Sequence, residues 1–303
     1  MKVIPTGKIL GARVEDLDLA TDLGPSQVDD LMILLATHGV LEFPRQTLST
    51  RQLKRFSEKF GELYLSPGGR AQAAGFPEVM ILSNMLEEGK AVGLSDAGQA
   101  WHTDMAYTNI IALTNVLYGT TIPQRDGRPL GNTELRNMHK VYEDLPADIK
   151  QRLKGKTISH DFNKFWELMR ERPGSPRAPL SAEERAQRPP AVHAAALTHP
   201  ITGRTVLYAN PGYAVAINEL PADESDQLLD YLFEFQSRPE YLYTYSWNKD
   251  SVLMWDNIGT THNAVADYTR DEHRYIQRCQ VMATRFYGEA GTRVPRMFAR
   301  QQA

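Results

Sequence analysis

Cysteine is almost missing from this chain: Cys279 is the one thiol among 303 residues. A single thiol forms no intrachain disulfide and no multi-cysteine metal site, so both kinds of scaffold are excluded, and a reducing compartment is the natural home. No apolar run approaches the roughly 18 residues that a bilayer span needs, and the opening MKVIPTGKIL lacks the apolar stretch of a secretory leader. Charge of one sign is not in excess either. Lys and Arg number 34 against 37 Asp and Glu, a formal net charge of -3, which removes any general electrostatic reason for nucleic acid or an anionic membrane as partner. Internal repeats, low-complexity tracts and heptads are lacking too. These absences leave a cytoplasmic protein whose partner is a small molecule.

The chain does carry apolar material for a core, 42% of its residues, and we read residues 1–303 as a single domain. SQVDDLMILLATHGV places Val28, Leu31, Leu34 and Leu35 at helical spacing and stops at His38-Gly39. VLEF follows as a strand. In LSTRQLKRFSEKFGEL, Ser49 and Gln52 match a capping box, and Leu53, Phe56 and Phe60 form an apolar stripe. From Val79 the pattern turns to short β-rich runs, among them VMILSN, NVLYGTTI, TVLYAN, YLYTYSW, SVLMWDN and RYIQRCQVMATRF. Two helices are expected between them: ELRNMHKVYEDL after Thr133, and ESDQLLDYLFEF with Leu228, Leu229, Leu232 and Phe235 on one face. Mainly β structure with peripheral helices, as a sandwich or jelly-roll barrel, is therefore the expected class. Residues 170–190 are rich in Pro, Arg and charge and read as a loop; the stretch 163–192 is either a lid over a site or a plain surface insertion.

AWHTDMAYT, residues 100–108, sets His102 and Asp104 two apart. Side chains alternate faces in an extended segment, so the two point the same way and can reach one metal ion. Alone, such a pair is more often a hydrogen-bonded histidine beside a carboxylate. Near the C-terminus, however, LMWDNIGTTHNAVADYTRDEHRYIQRCQV carries His262 on a loop between two β-rich runs, and the second run holds Arg274 and Arg278. Alternation puts both arginines on one face, about 13 Å apart at roughly 3.3 Å per residue. Two guanidinium groups facing a barrel interior require anions, from internal carboxylates or from ligands.

Taken together, His102-x-Asp104, His262, Arg274 and Arg278 resemble the taurine dioxygenase/2,4-dichlorophenoxyacetate dioxygenase family of Fe(II)- and 2-oxoglutarate-dependent oxygenases. The stretches GVLEFPRQTLSTRQLKRFSEKFGEL, GNTELRNM, THPITGRTVLYAN and WDNIGTTHNAVADY extend the resemblance over most of the chain. It implies a double-stranded β-helix and a two-histidine, one-carboxylate iron site made by His102, Asp104 and His262, with positions open to cosubstrate and dioxygen. It also implies that Arg274 and the hydroxyl of Thr133 bind the distal carboxylate of 2-oxoglutarate, because a guanidinium fork suits bidentate carboxylate recognition. Arg278 matches a second family arginine that serves the substrate's anion or the cosubstrate. The expected activity is catabolic hydroxylation of a small anionic compound, aryloxyalkanoate-like or another carboxylate, with bond cleavage where the hydroxylated carbon bears a heteroatom. Homodimers or homotetramers are common in the family.

The taurine-binding positions differ: Ser66, Gly69 and Gly98 stand where that enzyme has a histidine, a tyrosine and an asparagine, so taurine is not the expected substrate, and Arg70 is a candidate replacement anion contact. Trp101 and Trp255 read as packing beside metal ligands. Tyr107, Phe162, Phe165 and Trp166 read singly as core, and jointly as an aromatic pocket. His38, His139, His160, His193, His199 and His273 show no ligand pattern, Asp256 and Asn257 read as turn-formers, and Cys279 as inert, facing away from Arg278. On ligand types alone, a jelly-roll metal-binding protein without turnover and a zinc-dependent hydrolase remain alternatives.

Overall fold

SVLMWD is apolar on both faces, which suits a strand covered from both sides. In the computed structural model, which describes residues 1–65, 71–172, 175 and 177–287, that strand is buried at every position and lies in the middle of a sheet. Eight strands carry the architecture: β1 (Val40–Phe43), β2 (Phe76–Ser83), β3 (Ala112–Thr121), β4 (Thr133–Asn137), β5 (Leu242–Tyr245), β6 (Ser251–Asp256), β7 (Thr260–Ala264) and β8 (Tyr275–Met282). The larger sheet runs Lys2–Pro5, Ala12–Glu15, β1, β6, β3, β8, β2, Gln72–Ala73, and a smaller one holds β4 between β5 and β7.

Strand alternation divides the core into two layers. Leu41, Val116, Val252, Met254 and Cys279 face outward and pack under helices α1 (Pro25–His38) and α2 (Thr50–Glu58). Val40, Leu117, Leu253, Trp255 and Ile276 face inward and meet Leu135, Tyr243 and Tyr245 of the smaller sheet. Both helices end where the sequence signals them: Gly39 caps α1 at a φ of 70°, and Ser49 and Gln52 form a reciprocal capping box on α2.

The expected helix over ELRNMHKVYEDL is only half right. Its first four residues belong to β4; helix α3 spans Met138–Asp144, with Asn137 as its cap. Over so few residues the helical and strand periods fit equally well, and pairing on both edges decides for strand. The segment read as loop also holds regular structure. Helix α4 (Phe162–Arg170) precedes it, and α5 (Ala182–Ala186), capped by Ser181 and Glu184, lies within it; residues 173, 174 and 176 fall outside the described ones. A five-residue helix is too short to display a period. Helix α6 (Ala222–Gln236) buries Leu228, Leu229, Leu232 and Phe235 as expected. Among the described residues no helix is long and apolar enough to cross a membrane.

A third sheet sets strand Thr157–His160 between Ala191–Ala194 and Ala214–Ile217. His160 is fully buried there, against the rings of His193 (5.4 Å) and Tyr208 (5.5 Å), and burial pushes its pKa down to about 3. The unfolded chain therefore binds a proton that the folded one refuses, and stability is present above the unfolded value of about 6.5 and declines as pH falls toward 3. We expect His160→Asn to flatten the pH dependence of urea unfolding between pH 6.5 and 4 by up to about 1.4 kcal/mol per pH unit, one proton's worth. An unchanged slope would assign the acid sensitivity to another group.

Candidate metal and cosubstrate site

His102 and His262 are brought together by backbone. They face each other in an isolated antiparallel bridge, in which each N–H donates to the other's carbonyl, at 3.0 and 2.8 Å. The imidazole centroids lie 4.1 Å apart as a result. His262 sits on β7 and pairs with Leu135 of β4, so its expected place on a loop is corrected: the β-branched TTHNA stretch re-enters a sheet after a tight turn at residues 257–259. The Asp104 carboxylate completes the group. Its Oδ1 is 3.5 Å from His102 Nε2, and its Oδ2 is 3.5 Å from His262 Nε2 and 3.2 Å from Arg278 Nη1. All three residues are buried, with candidate ligand atoms within 4.8 Å of one another.

Strand alternation explains only part of this geometry. His102 is extended, but the chain turns immediately after Thr103, and Met105 adopts a left-handed φ of 58°. Asn257 holds the turned peptide. Its Oδ1 accepts from the Asp104 N–H (3.2 Å), while its Nδ2 donates to the carbonyls of Asp104 (2.9 Å) and Ala112 (3.2 Å). The sequence presents Asn257 as a turn-former; its grip on Asp104 could not be read there, because it spans two segments remote in sequence. Removing this amide leaves buried backbone groups unpaired at about 1–3 kcal/mol each. We expect Asn257→Ala to lower unfolding free energy by about 3 kcal/mol, and Fe(II) affinity by about 10–100-fold because the carboxylate loses its support. Urea denaturation and metal titration read the two effects separately.

Protonation favours a cation at the centre. His102 Nδ1 is 2.6 Å from the Ala100 carbonyl, which can only accept, so Nδ1 carries a hydrogen and Nε2 is the nitrogen left facing Asp104. Burial pushes His262 well below its ordinary pKa, and His102 adds to the effect, so its imidazole is neutral. Burial alone would raise the Asp104 carboxyl, but the Arg278 guanidinium, 3.2 Å away, outweighs it and holds the group ionised. Two imidazole nitrogens and a carboxylate converging on one point suit a divalent cation.

Arg274 is 7% exposed, its Nε has no acceptor, and no carboxylate pairs with it among the described residues. Its guanidinium lies by Tyr268 and Gly131, two residues before Thr133. The Thr133 hydroxyl accepts from Trp247 Nε1 at 3.1 Å, which leaves its own proton to donate. A buried cation with no carboxylate partner among the described residues fits a carboxylate ligand. Arg278 differs: its Nη1 is engaged by Asp104, and its Nη2 lies 3.4 Å from Gln280 Oε1.

A cavity of about 350 Å³ opens beside His102 and Asp104. Phe165 and Tyr213 pack on the His102 ring at centroid distances of 4.8 and 6.1 Å, and Tyr107 meets Phe162 and Tyr213 at 4.9 Å each. Phe162, Phe165 and Trp166 of α4, each read singly as core, thus wall the cavity with Tyr107. Tyr213 was not singled out in the sequence; its signal was the Pro211-Gly212 turn before it. A Cβ on Gly212 would come within 2.9 Å of His102 Cβ. Gly98 lines the cavity too, whereas Ser66, Gly69 and Arg70 lie outside the described residues. Trp255 packs on the His262 ring at 4.7 Å, and Trp101 lies under the Arg136 guanidinium at 3.7 Å. Cys279 is buried on the opposite face from Arg278, and burial raises its thiol to about 12, which makes it unreactive.

His139, His199 and Asp256 form a second buried group. Here the protons argue against a metal. His199 Nδ1 accepts from the N–H groups of Ile201 and Thr202, both at 3.2 Å, so Nε2 carries the hydrogen and donates to Asp256, 3.2 Å away. Asp256 also accepts from the N–H groups of Ile258 and Gly259, as a turn-former should.

A β-sandwich with a buried histidine–aspartate–histidine group, an aromatic cavity and a buried arginine lacking a carboxylate partner among the described residues suits a non-haem iron oxygenase. Residues 2–280 match the model of the taurine catabolism dioxygenase TauD, TfdA family, and the chain belongs to that family. It is a 2-oxoglutarate-dependent dioxygenase, an oxidoreductase that uses Fe(II), 2-oxoglutarate and dioxygen, which decides against a metal-binding protein without turnover and against a zinc hydrolase. It is 29% identical over 283 residues to pentalenolactone F synthase of Streptomyces avermitilis, covering 90% of each chain. It is 28% identical to the alpha-ketoglutarate-dependent 2,4-dichlorophenoxyacetate dioxygenase of Cupriavidus pinatubonensis, over 85% of this chain and 90% of that one. The crystal structure of a taurine dioxygenase from Burkholderia xenovorans superposes with a TM-score of 0.74 at 28% identity, over 93% of this chain and 89% of that one.

Proposed function

We propose that His102, Asp104 and His262 hold the ferrous ion, that Arg274 and Thr133 hold the distal carboxylate of 2-oxoglutarate, and that the enzyme hydroxylates a small organic anion in the cavity beside them. The sandwich is then the double-stranded β-helix of the family, a single domain with residues 163–192 as the lid. The observation that carries this reading is the convergence of the His102 and His262 Nε2 atoms on the two Asp104 oxygens at the edge of that cavity.

Ferrous iron, 2-oxoglutarate and dioxygen together supply the oxidising power that converts an unactivated C–H bond to C–OH, with succinate and carbon dioxide as coproducts. The chain's own residues do the rest. The Ala100 carbonyl fixes the His102 tautomer, Asn257 sets the Asp104 carboxylate, and Arg278 keeps that carboxylate ionised. Arg274, desolvated and without a carboxylate partner among the described residues, selects a dianionic cosubstrate over neutral keto compounds. Phe165, Tyr107 and Tyr213 exclude water around the reacting carbon. An aryloxyalkanoate or another carboxylate suits this aromatic, positively charged cavity, in keeping with a relative named for 2,4-dichlorophenoxyacetate. Hydroxylation next to an ether oxygen would release the aryl group. The test is succinate formation dependent on Fe(II) and 2-oxoglutarate, compared between wild type and His102→Ala; equal turnover would remove the site assignment.

A further inference from the structure

Three guanidinium groups line the cavity, and their partners differ. Arg177 is neutralised by Asp96, with Nη2 2.9 Å from Oδ1 and Nη1 on the other oxygen, and it lies over Trp166. Arg278 is engaged by Asp104 at 3.2 Å. Arg188, just past α5, has no ion pair among the described residues. Its guanidinium lies over the Phe162 ring, 5.1 Å from the centroid, and its one hydrogen bond is a long 3.4 Å contact to the Glu184 carbonyl. The Glu184 carboxylate is near but occupied, accepting the Ser181 N–H at 2.8 Å in the α5 capping box. Arg188 also borders, with Tyr64 and Tyr107, a second cavity of about 440 Å³. Arg188 thus lines both spaces, and His102 and Asp104 line only the first.

We propose that Arg188 anchors the substrate's acid group: a ring-bearing carboxylate lies along Phe162, Phe165 and Tyr107, with its anion on Arg188 at the mouth and its reacting C–H toward His102 and Asp104. This rests on the dioxygenase reading and moves the substrate's anion from Arg278, whose charge already serves Asp104, to the lid. A guanidinium held on an aromatic face keeps its N–H edge free for a carboxylate. Because it comes from α5 and not from the sheets, substrate selection and metal chemistry are placed on separate parts of the chain.

The test is quenching of tryptophan fluorescence in protein loaded anaerobically with Fe(II) and 2-oxoglutarate, Trp166 lying in the cavity wall. Benzoate, phenylacetate, phenoxyacetate and 2-naphthoate are titrated, each beside its primary amide. We expect at least one acid to bind wild type about tenfold or more tightly than its amide. Arg188→Gln should bring that ratio within about twofold, and Arg188→Lys should keep part of it, as a charge-specific contact requires. The proposal is overturned if wild type prefers no acid over its amide, or if Arg188→Gln keeps the preference while Arg278→Gln loses it. Wild-type succinate formation without added substrate separates the two readings: if it persists while the acid preference is absent, only the role of Arg188 fails.

Discussion

Replacing His102 by alanine is expected to lower Fe(II)- and 2-oxoglutarate-dependent succinate formation by at least about a thousandfold. The magnitude follows from a comparison: loss of a residue that merely supports a metal ligand lowers affinity or activity by about 10–100-fold, and removal of a ligand exceeds that. His102 is also the residue whose backbone meets His262, but those two hydrogen bonds use main-chain atoms that alanine retains. The bridge should therefore survive, and the loss should fall on metal content. Stability should change little, because the ring borders an existing cavity. Metal analysis after anaerobic loading, with thermal unfolding of the metal-free protein, separates these effects. Wild-type iron occupancy in the variant would show that His102 is not a ligand.

The second large effect concerns Arg274. A desolvated charge-assisted contact between guanidinium and carboxylate is worth about 2–5 kcal/mol when one partner is removed, and each 1.36 kcal/mol is a factor of ten, so Arg274→Met should raise the KM for 2-oxoglutarate by about two to three orders of magnitude. Methionine fills much of the same volume without a charge. The unloaded protein should then be no less stable, since wild type buries a cation that no carboxylate among the described residues neutralises. 2-Oxoglutarate should raise the Tm of the iron-loaded wild type far more than that of the variant. Equal thermal shifts would move the cosubstrate's carboxylate elsewhere, with Arg278 the first place to look.

How much of this was legible depends on how local each cause is. Helix ends were readable because caps and stops act within one turn, as at Ser49 and Gly39. The β-rich runs were readable because alternation is local too. The triad residues were nameable through a resemblance, but their geometry was not: the orientation of Asp104 depends on Asn257, and the tautomer of His102 on a carbonyl two residues back. Glu134–Asn137 was misread because four residues fit both periods, and only pairing with β5 and β7 decides between them. The aromatic cavity was hardest to see. Phe162, Phe165 and Trp166 have the spacing of an ordinary buried helix face, and nothing in that spacing says that the space they enclose is left open.

The rung joining His102 to His262 ties together two stretches far apart along the chain, and the smaller sheet must be in place before it can form. Closing so long a loop comes late in assembly, since its entropic toll falls before any contact repays it. If His102 and His262 hold iron as proposed, the two imidazoles are set face to face only once that rung is made. Loosening it would then weaken metal binding without breaking a hydrogen bond of either sheet's strand ladders.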